Sequence, residues 1–119
     1  SPGSSHVQLW QFILELLADP RQADGCIEWI GVDGEFRMVD PEEVARKWGR
    51  RKKRARMNFE KMGRALRYYY DKMILKKVTG KKCTYQFHLA GVLCQGKKAL
   101  QDCFEKYERE NKVSGKNSK

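Results

Sequence analysis

Arg64 and Arg67 stand three residues apart in a segment whose apolar residues repeat at helical spacing. On a helix they fall one turn, about 5 Å, apart on the same side. A guanidinium is a planar fork of N–H donors that matches the O6 and N7 acceptors of guanine. Two forks at this offset can each take one of two neighbouring guanines in a major groove. Lys61 continues the same row one turn earlier. The other side of residues 57–73 is apolar: Phe59, Met62, Leu66, Tyr69, Tyr70 and Met73 recur at the three-and-four spacing of a buried stripe. Just upstream, residues 46–56 hold eight basic side chains in eleven positions and no acid. A core-anchored helix with paired arginines beside a dense cationic run has what a duplex reader needs: charge for phosphates and forks for bases.

The charge of the whole chain supports this direction. The formal net charge is +10 over 119 residues, and it is unevenly placed. Residues 1–45 carry two basic and nine acidic side chains, whereas residues 46–82 carry sixteen basic and two acidic. The basic part is the expected docking surface for a polyanion, and the acidic part is expected to discourage wrong orientations. The length suits one domain with a core that needs neither disulfides nor metal. Cysteines at 26, 83, 94 and 103 include no Cys-x-x-Cys pair, and the histidines are His6 and His88, so no metal or other cofactor is expected. Cys26, Cys83 and Cys103 lie in apolar patterns and read as small buried hydrophobes in a reducing compartment. No apolar run approaches the ~20 residues that span a bilayer, and no membrane partner is expected. No paired carboxylates or nucleophile–base arrangement accompanies the basic region, which argues against an enzyme.

Residues 8–18 read as a helix with Leu9, Phe12, Ile13, Leu16 and Leu17 on one side, ended by Asp19-Pro20. Residues 26–30 and 35–39 alternate as two strands around Gly31-Val32-Asp33-Gly34. Asp40, Pro41 and Glu43 spell N-cap, first helical position and capping box for a second helix that buries Val44, Ala45 and Trp48, with Gly49 placed to stop it. Asn58 caps the long helix. Residues 74–78 and 83–87 flank a lysine-rich tip, with Tyr85 and Phe87 facing one way. Trp10, Trp29 and Tyr70 are expected in the core. The order predicts an α+β fold, a winged helix-turn-helix of three helices packed on a small antiparallel four-stranded sheet, plus a C-terminal helix. The expected divisions are a lead-in or tag remnant at 1–6, the domain at 7–90, an appended helix at 91–111 and a frayed tail at 112–119. Leu100, Cys103, Phe104 and Tyr107 put an apolar stripe on that last helix. The stripe packs back on the domain, or it serves self-association, a protein partner or autoinhibition. The basic run 50–56 also fits a nuclear localisation signal.

These residues resemble the DNA-binding domain of the ETS transcription-factor family. The resemblance rests on Gln-Leu-Trp-Gln-Phe-Ile-Leu-Glu-Leu-Leu at 8–17, Trp29, Gly-Glu-Phe at 34–36, Asp-Pro-Glu-Glu-Val-Ala-Arg-Lys-Trp-Gly at 40–49, Met-Asn-Phe-Glu-Lys-Met-Gly-Arg-Ala-Leu-Arg-Tyr-Tyr-Tyr at 57–70, and Tyr-Gln-Phe at 85–87. It implies a nuclear factor that binds double-stranded DNA with a GGAA or GGAT core through its third helix. It assigns base reading to Arg64 and Arg67, with Tyr68 beside the core bases. It assigns phosphate contacts to the Leu9 backbone, the Trp48 indole, Arg54, Lys61, Lys72 and Lys77. Two departures change that set. The family's Asn-Lys-Pro turn reads Lys53-Arg54-Ala55 here, adding charge and freeing the turn. Many members carry a wing tyrosine where this chain has Cys83, whose shorter side chain cannot reach a phosphate, so Lys81 or Lys82 is expected to supply that contact. Phe59 likewise replaces a common tyrosine. The alternative reading is a sequence-tolerant RNA or single-strand binding module, which needs exposed aromatics interleaved with basic residues.

Overall fold

The computed structural model describes residues 7–31, 33–88, 91–93 and 109. Chain order is α1 (Leu9–Ala18), α2 (Pro20–Ala23), β1 (Ile27–Ile30), β2 (Glu35–Met38), α3 (Pro41–Lys52), α4 (Phe59–Asp71), β3 (Leu75–Lys77) and β4 (Thr84–Phe87). The strands form one antiparallel sheet in the order β1-β2-β4-β3. Trp29 sits opposite Phe36, and Phe36 opposite Tyr85, so the apolar residues of three strands line one face. Phe36 stacks on Tyr85 and meets Phe87 at a tilt, with ring centroids 5.7 and 5.1 Å apart. The core runs from Leu9, Phe12, Ile13 and Leu16 of α1 through Phe36 and Met38 to Val44, Met62, Leu66, Ile74 and Leu75. This is the α+β winged helix fold.

Local chemistry sets the boundaries. Asp40 accepts the N–H of Glu43 at 3.2 Å, and Pro41 follows at the first helical position. Asn58 accepts the N–H of Lys61 at 2.9 Å and starts α4. Five expectations need correction. A single-turn helix, α2, follows α1, capped by Asp19 through the N–H of Arg21. The Glu43 carboxylate does not close the capping box; it turns to Arg46 at 2.8 Å. Gly49 does not end α3, which continues to Lys52 and stops at Lys53 in a left-handed conformation (φ 57°). Gly49 is instead buried where the chain returns. A Cβ there would lie 2.6 Å from the Arg54 carbonyl oxygen and 2.8 Å from the Met57 Cβ. Met73 leaves the α4 stripe, adopts φ 59° and is 56% exposed. Trp29 is on the edge strand and stays 46% exposed, although its ring meets Phe36 edge-on. Cys26 is buried and Cys83 half-buried, both as free thiols.

After β4 the chain passes under the end of α4. The His88 N–H donates to the Ile74 carbonyl at 2.8 Å, and residues 91–93 make a helical turn. The expected lead-in, the tail and most of the appended helix, with Leu100, Cys103, Phe104 and Tyr107, lie outside the described residues.

Candidate nucleic-acid interface

The helix α4 has two sides of opposite character. Met62, Leu66 and Tyr69 are 1%, 1% and 5% exposed and lock it into the core. Arg64, Arg67 and Tyr68 are exposed on the other side. Neither Arg64 nor Arg67 makes an ion pair among the described residues. Gly63 leaves room for the Arg67 guanidinium, whose Nη1 would be 3.7 Å from a Cβ placed there. The Arg67 stem thus folds back along the helix. At the C-terminal end, the Lys72 ammonium lies 5.3 Å from the Tyr68 ring centroid, within cation–π range.

The basic stretch 46–56, continuous in sequence, divides in space. Glu43 draws in Arg46 at 2.8 Å, Arg50 at 3.5 Å and Lys47 at 3.7 Å. The Arg46 hydrogen bond, with the charges of Arg46, Lys47 and Arg50, holds the Glu43 carboxyl below the usual range. Arg51 turns inward and forms a two-pronged bond to Glu15 of α1 at 2.6 and 3.1 Å, with its guanidinium 5.7 Å from the Phe12 ring centroid. Lys52 donates to the Val7 carbonyl at 3.3 Å. Arg54 and Arg56 are exposed and carry no ion pair among the described residues. The sequence gives no hint that Arg51 is a structural tie, because Glu15 is thirty-six residues away.

Trp48 packs its ring on Phe12 at 5.3 Å, is nearly buried, and has the Lys52 ammonium 5.6 Å from its centroid. Its indole N–H has no acceptor among the described residues and is not sealed from solvent. Leu9 opens α1 with its side chain buried. Lys61 is exposed and donates to the Arg56 carbonyl at 3.2 Å, which ties the basic turn to α4.

In the wing, Lys77 donates to the Lys81 carbonyl at 2.9 Å and lies over the Tyr85 ring, while Lys81 reaches Glu35 at 3.5 Å. Lys82 is exposed and without an ion pair among the described residues. Burial above all, then Tyr70 and Cys83, push the Tyr85 phenol up to about 12, with Arg67 opposing. The structure brings Arg64, Arg67, Tyr68 and Lys72 together on α4, and Lys77, Lys81 and Lys82 together on the wing. Sequence reasoning missed the Tyr69 hydroxyl, which crosses to α1 and accepts the Trp10 N–H at 3.2 Å. Its apolar spacing marked Tyr69 as core, which it is, and nothing in the pattern signalled the polar tip.

A sequence profile of the Ets-domain family matches residues 6–88. The chain is 56% identical over 92 residues to the retroviral integration site protein Fli-1 homolog of Xenopus laevis, a match covering 77% of this chain and 20% of that protein. It is 51% identical over 108 residues to the DNA-binding protein D-ETS-3 of Drosophila melanogaster, covering 91% of this chain and 22% of that one. It is 57% identical over 89 residues to the transcriptional regulator ERG homolog of Lytechinus variegatus, covering 75% and 51%. The chain thus spans between a fifth and a half of the length of these relatives. On the profile match, these identities and the winged helix fold, the chain belongs to the Ets-domain family of DNA-binding domains.

Proposed function

We propose that this domain binds double-stranded DNA carrying a GGAA or GGAT core, as the sequence-reading part of a nuclear transcription factor. The observation that supports it best is the pair Arg64 and Arg67: exposed, unpaired among the described residues, and backed by the most buried residues of their own helix. Rigid backing matters because a fork must arrive pre-aimed to discriminate a base. Tyr68 stands beside them and tunes the neighbouring bases. Phosphates are gripped on both flanks: by the N–H groups of the first turn of α1 at Leu9, by the Trp48 indole, by Arg54 and Lys61 on one side, and by Lys72, Lys77, Lys81 and Lys82 toward the wing. With about six to eight phosphates neutralised, log K falls with log salt at a slope of about −5 to −7.

The rival single-strand reading needs aromatics on an open surface, but Phe36 and Tyr85 are buried in the core face of the sheet. Competition of a labelled GGAA duplex by RNA and by a duplex with altered guanines tests this, with only unlabelled GGAA duplex expected to displace it efficiently. Arg64→Lys keeps the charge and loses the fork. It is expected to cost about 1–3 kcal/mol and to relax selectivity at one guanine. Unchanged affinity and selectivity in that variant would remove Arg64 from base reading.

A further inference from the structure

Tyr69 belongs to the core side of α4, yet its hydroxyl ends at the first turn of α1. There it accepts the N–H of Trp10 at 3.2 Å across fifty-nine residues of chain. The Leu9 N–H lies against the same oxygen, and both backbone contacts oppose the effect of burial, which pushes the phenol up. The rest of that turn is also accounted for. The Gln8 N–H donates to the Gln11 side chain at 2.9 Å, and the Trp10 indole donates to Gln8 at 3.2 Å. Among the described residues, no hydrogen bond or ion pair joins α1 to α4 apart from those to the Tyr69 hydroxyl. Their remaining contact is apolar packing, which is non-directional and tolerates sliding. The hydroxyl is the directional element. It also sits on the residue next to Tyr68, whose ring centroid is 6.1 Å from its own.

We propose that Tyr69 is a positioning residue: its hydroxyl sets the start of α1 against α4, so that a phosphate at Leu9 and guanines at Arg64 and Arg67 are engaged at one fixed spacing. This rests on the reading of α1 as a phosphate contact given above. A helix N-terminus holds an anion through its free N–H groups, and their usefulness depends on where they point. The Tyr69 oxygen lies against the N–H groups of both Leu9 and Trp10, and so fixes where that first turn sits relative to α4. A phenylalanine fills the same ring space, so the core is kept while the directional tie is lost.

The test uses the full chain with Tyr69→Phe. Duplexes carry a single neutral methylphosphonate at each backbone position in turn, and binding is compared with the unmodified GGAA duplex. In the parent, neutralising the phosphate that faces α1 is expected to weaken binding about tenfold. In Tyr69→Phe, binding of the unmodified duplex is expected to fall about three- to tenfold, the equivalent of one ordinary hydrogen bond. The penalty at that one phosphate should shrink toward none while penalties elsewhere stay as in the parent; the melting temperature falls modestly, because the Trp10 N–H loses its buried acceptor. A full penalty retained at that phosphate would overturn the proposal. So would a uniform loss at every phosphate, which marks a purely structural tyrosine. A parent that shows no preference for GGAA overturns the functional reading itself, and is distinguished by the unmodified duplexes alone. Hydrogen exchange at the Trp10 amide of the parent gives a second reading should the variant fail to fold. GGAA duplex should slow it more than altered duplex, and equal exchange in both would refute the tie.

Discussion

Gly49→Ala separates two readings of this glycine, as a helix stop and as a contact point. A helix-stop glycine sits outside the helix, and α3 continues three residues beyond it. The added Cβ would be 2.6 Å from the Arg54 carbonyl oxygen and 2.8 Å from the Met57 Cβ. Carbon atoms pack at about 3.5–4.0 Å, so the Met57 side of the clash needs a retreat of about 0.7–1.2 Å. The Arg54 carbonyl cannot simply rotate away. It accepts the Met57 N–H at 3.1 Å, and the Arg54 N–H donates to Gly49 itself at 2.7 Å. Overpacking of this kind costs about 1–3 kcal/mol. Alanine in a helix returns about 1 kcal/mol relative to glycine. With both contacts inside 3.0 Å, one of them to backbone, the overpacking cost falls in the upper part of that range, so the expected net loss is about 1–2 kcal/mol, or on the order of 5–10 °C in melting temperature. Because the displaced segment carries Arg54 and Arg56, GGAA and altered duplexes should both bind more weakly, by the same factor. Thermal unfolding and fluorescence anisotropy read the two effects. A variant as stable as the parent, or more so, would show that helix propensity dominates and that the turn is not packed on Gly49.

Gly91→Ala would place a Cβ 1.7 Å from the Met73 carbonyl oxygen, so the segment after β4 should lift from the end of α4 and the melting temperature should fall; an unchanged midpoint would refute that contact. The Glu43 carboxyl is held below its ordinary value of 4.5. Its contribution is therefore fully present above pH 4.5 and is lost as pH falls through the lowered native value. Glu43→Gln should be less stable than the parent at neutral pH, and the two denaturation curves should converge in acid; parallel curves across that window would contradict the assignment. The same variant releases Arg46, Lys47 and Arg50 and should tighten binding to any duplex at low salt. Lys77→Ala should weaken all duplexes alike and lower the salt slope by about one, whereas a loss confined to GGAA sites would make Lys77 a reader of bases.

What was legible in the sequence follows from the range of the forces involved. The amphipathic stripes of α1 and α4, the caps Asp40 and Asn58 and the hairpin strands are local signals, and the structure has them within a residue or two. The exposed row of Arg64 and Arg67 is likewise fixed by helix period alone. A four-residue helix such as α2 has no period to detect. Met73 continues the apolar spacing for one more step, but the backbone has already turned left-handed. Trp29 is apolar enough for the core, yet an edge strand has no neighbour to cover it. The end of α3 was misread because glycine favours C-terminal caps, whereas here its missing side chain admits a backbone five residues on. Which cations are spent on the protein itself depends on partners far along the chain, and no window of sequence contains both.

That last point explains the odd charge layout. Among the described residues, the acids that hold basic side chains are Glu15, Asp19, Glu28, Glu35 and Glu43, all from the negative first third of the chain. They engage Arg51, Arg21, Arg37, Lys81, and the trio Arg46, Lys47 and Arg50. Exposed ion pairs of this sort add little stability. Their consequence lies in which cations remain. Lys53, Arg54, Arg56, Lys61, Arg64, Arg67, Lys72, Lys76, Lys77 and Lys82 make no ion pair among the described residues. They come from the turn, the exposed side of α4 and the wing, the three regions that the proposed function sets against DNA. Neutralising the other cations narrows a field that would otherwise spread around the domain, and a narrowed field orients a polyanion before any base is touched. The acidic third thus acts by subtraction, and reversing Glu15 or Glu43 should blur orientation before it harms folding.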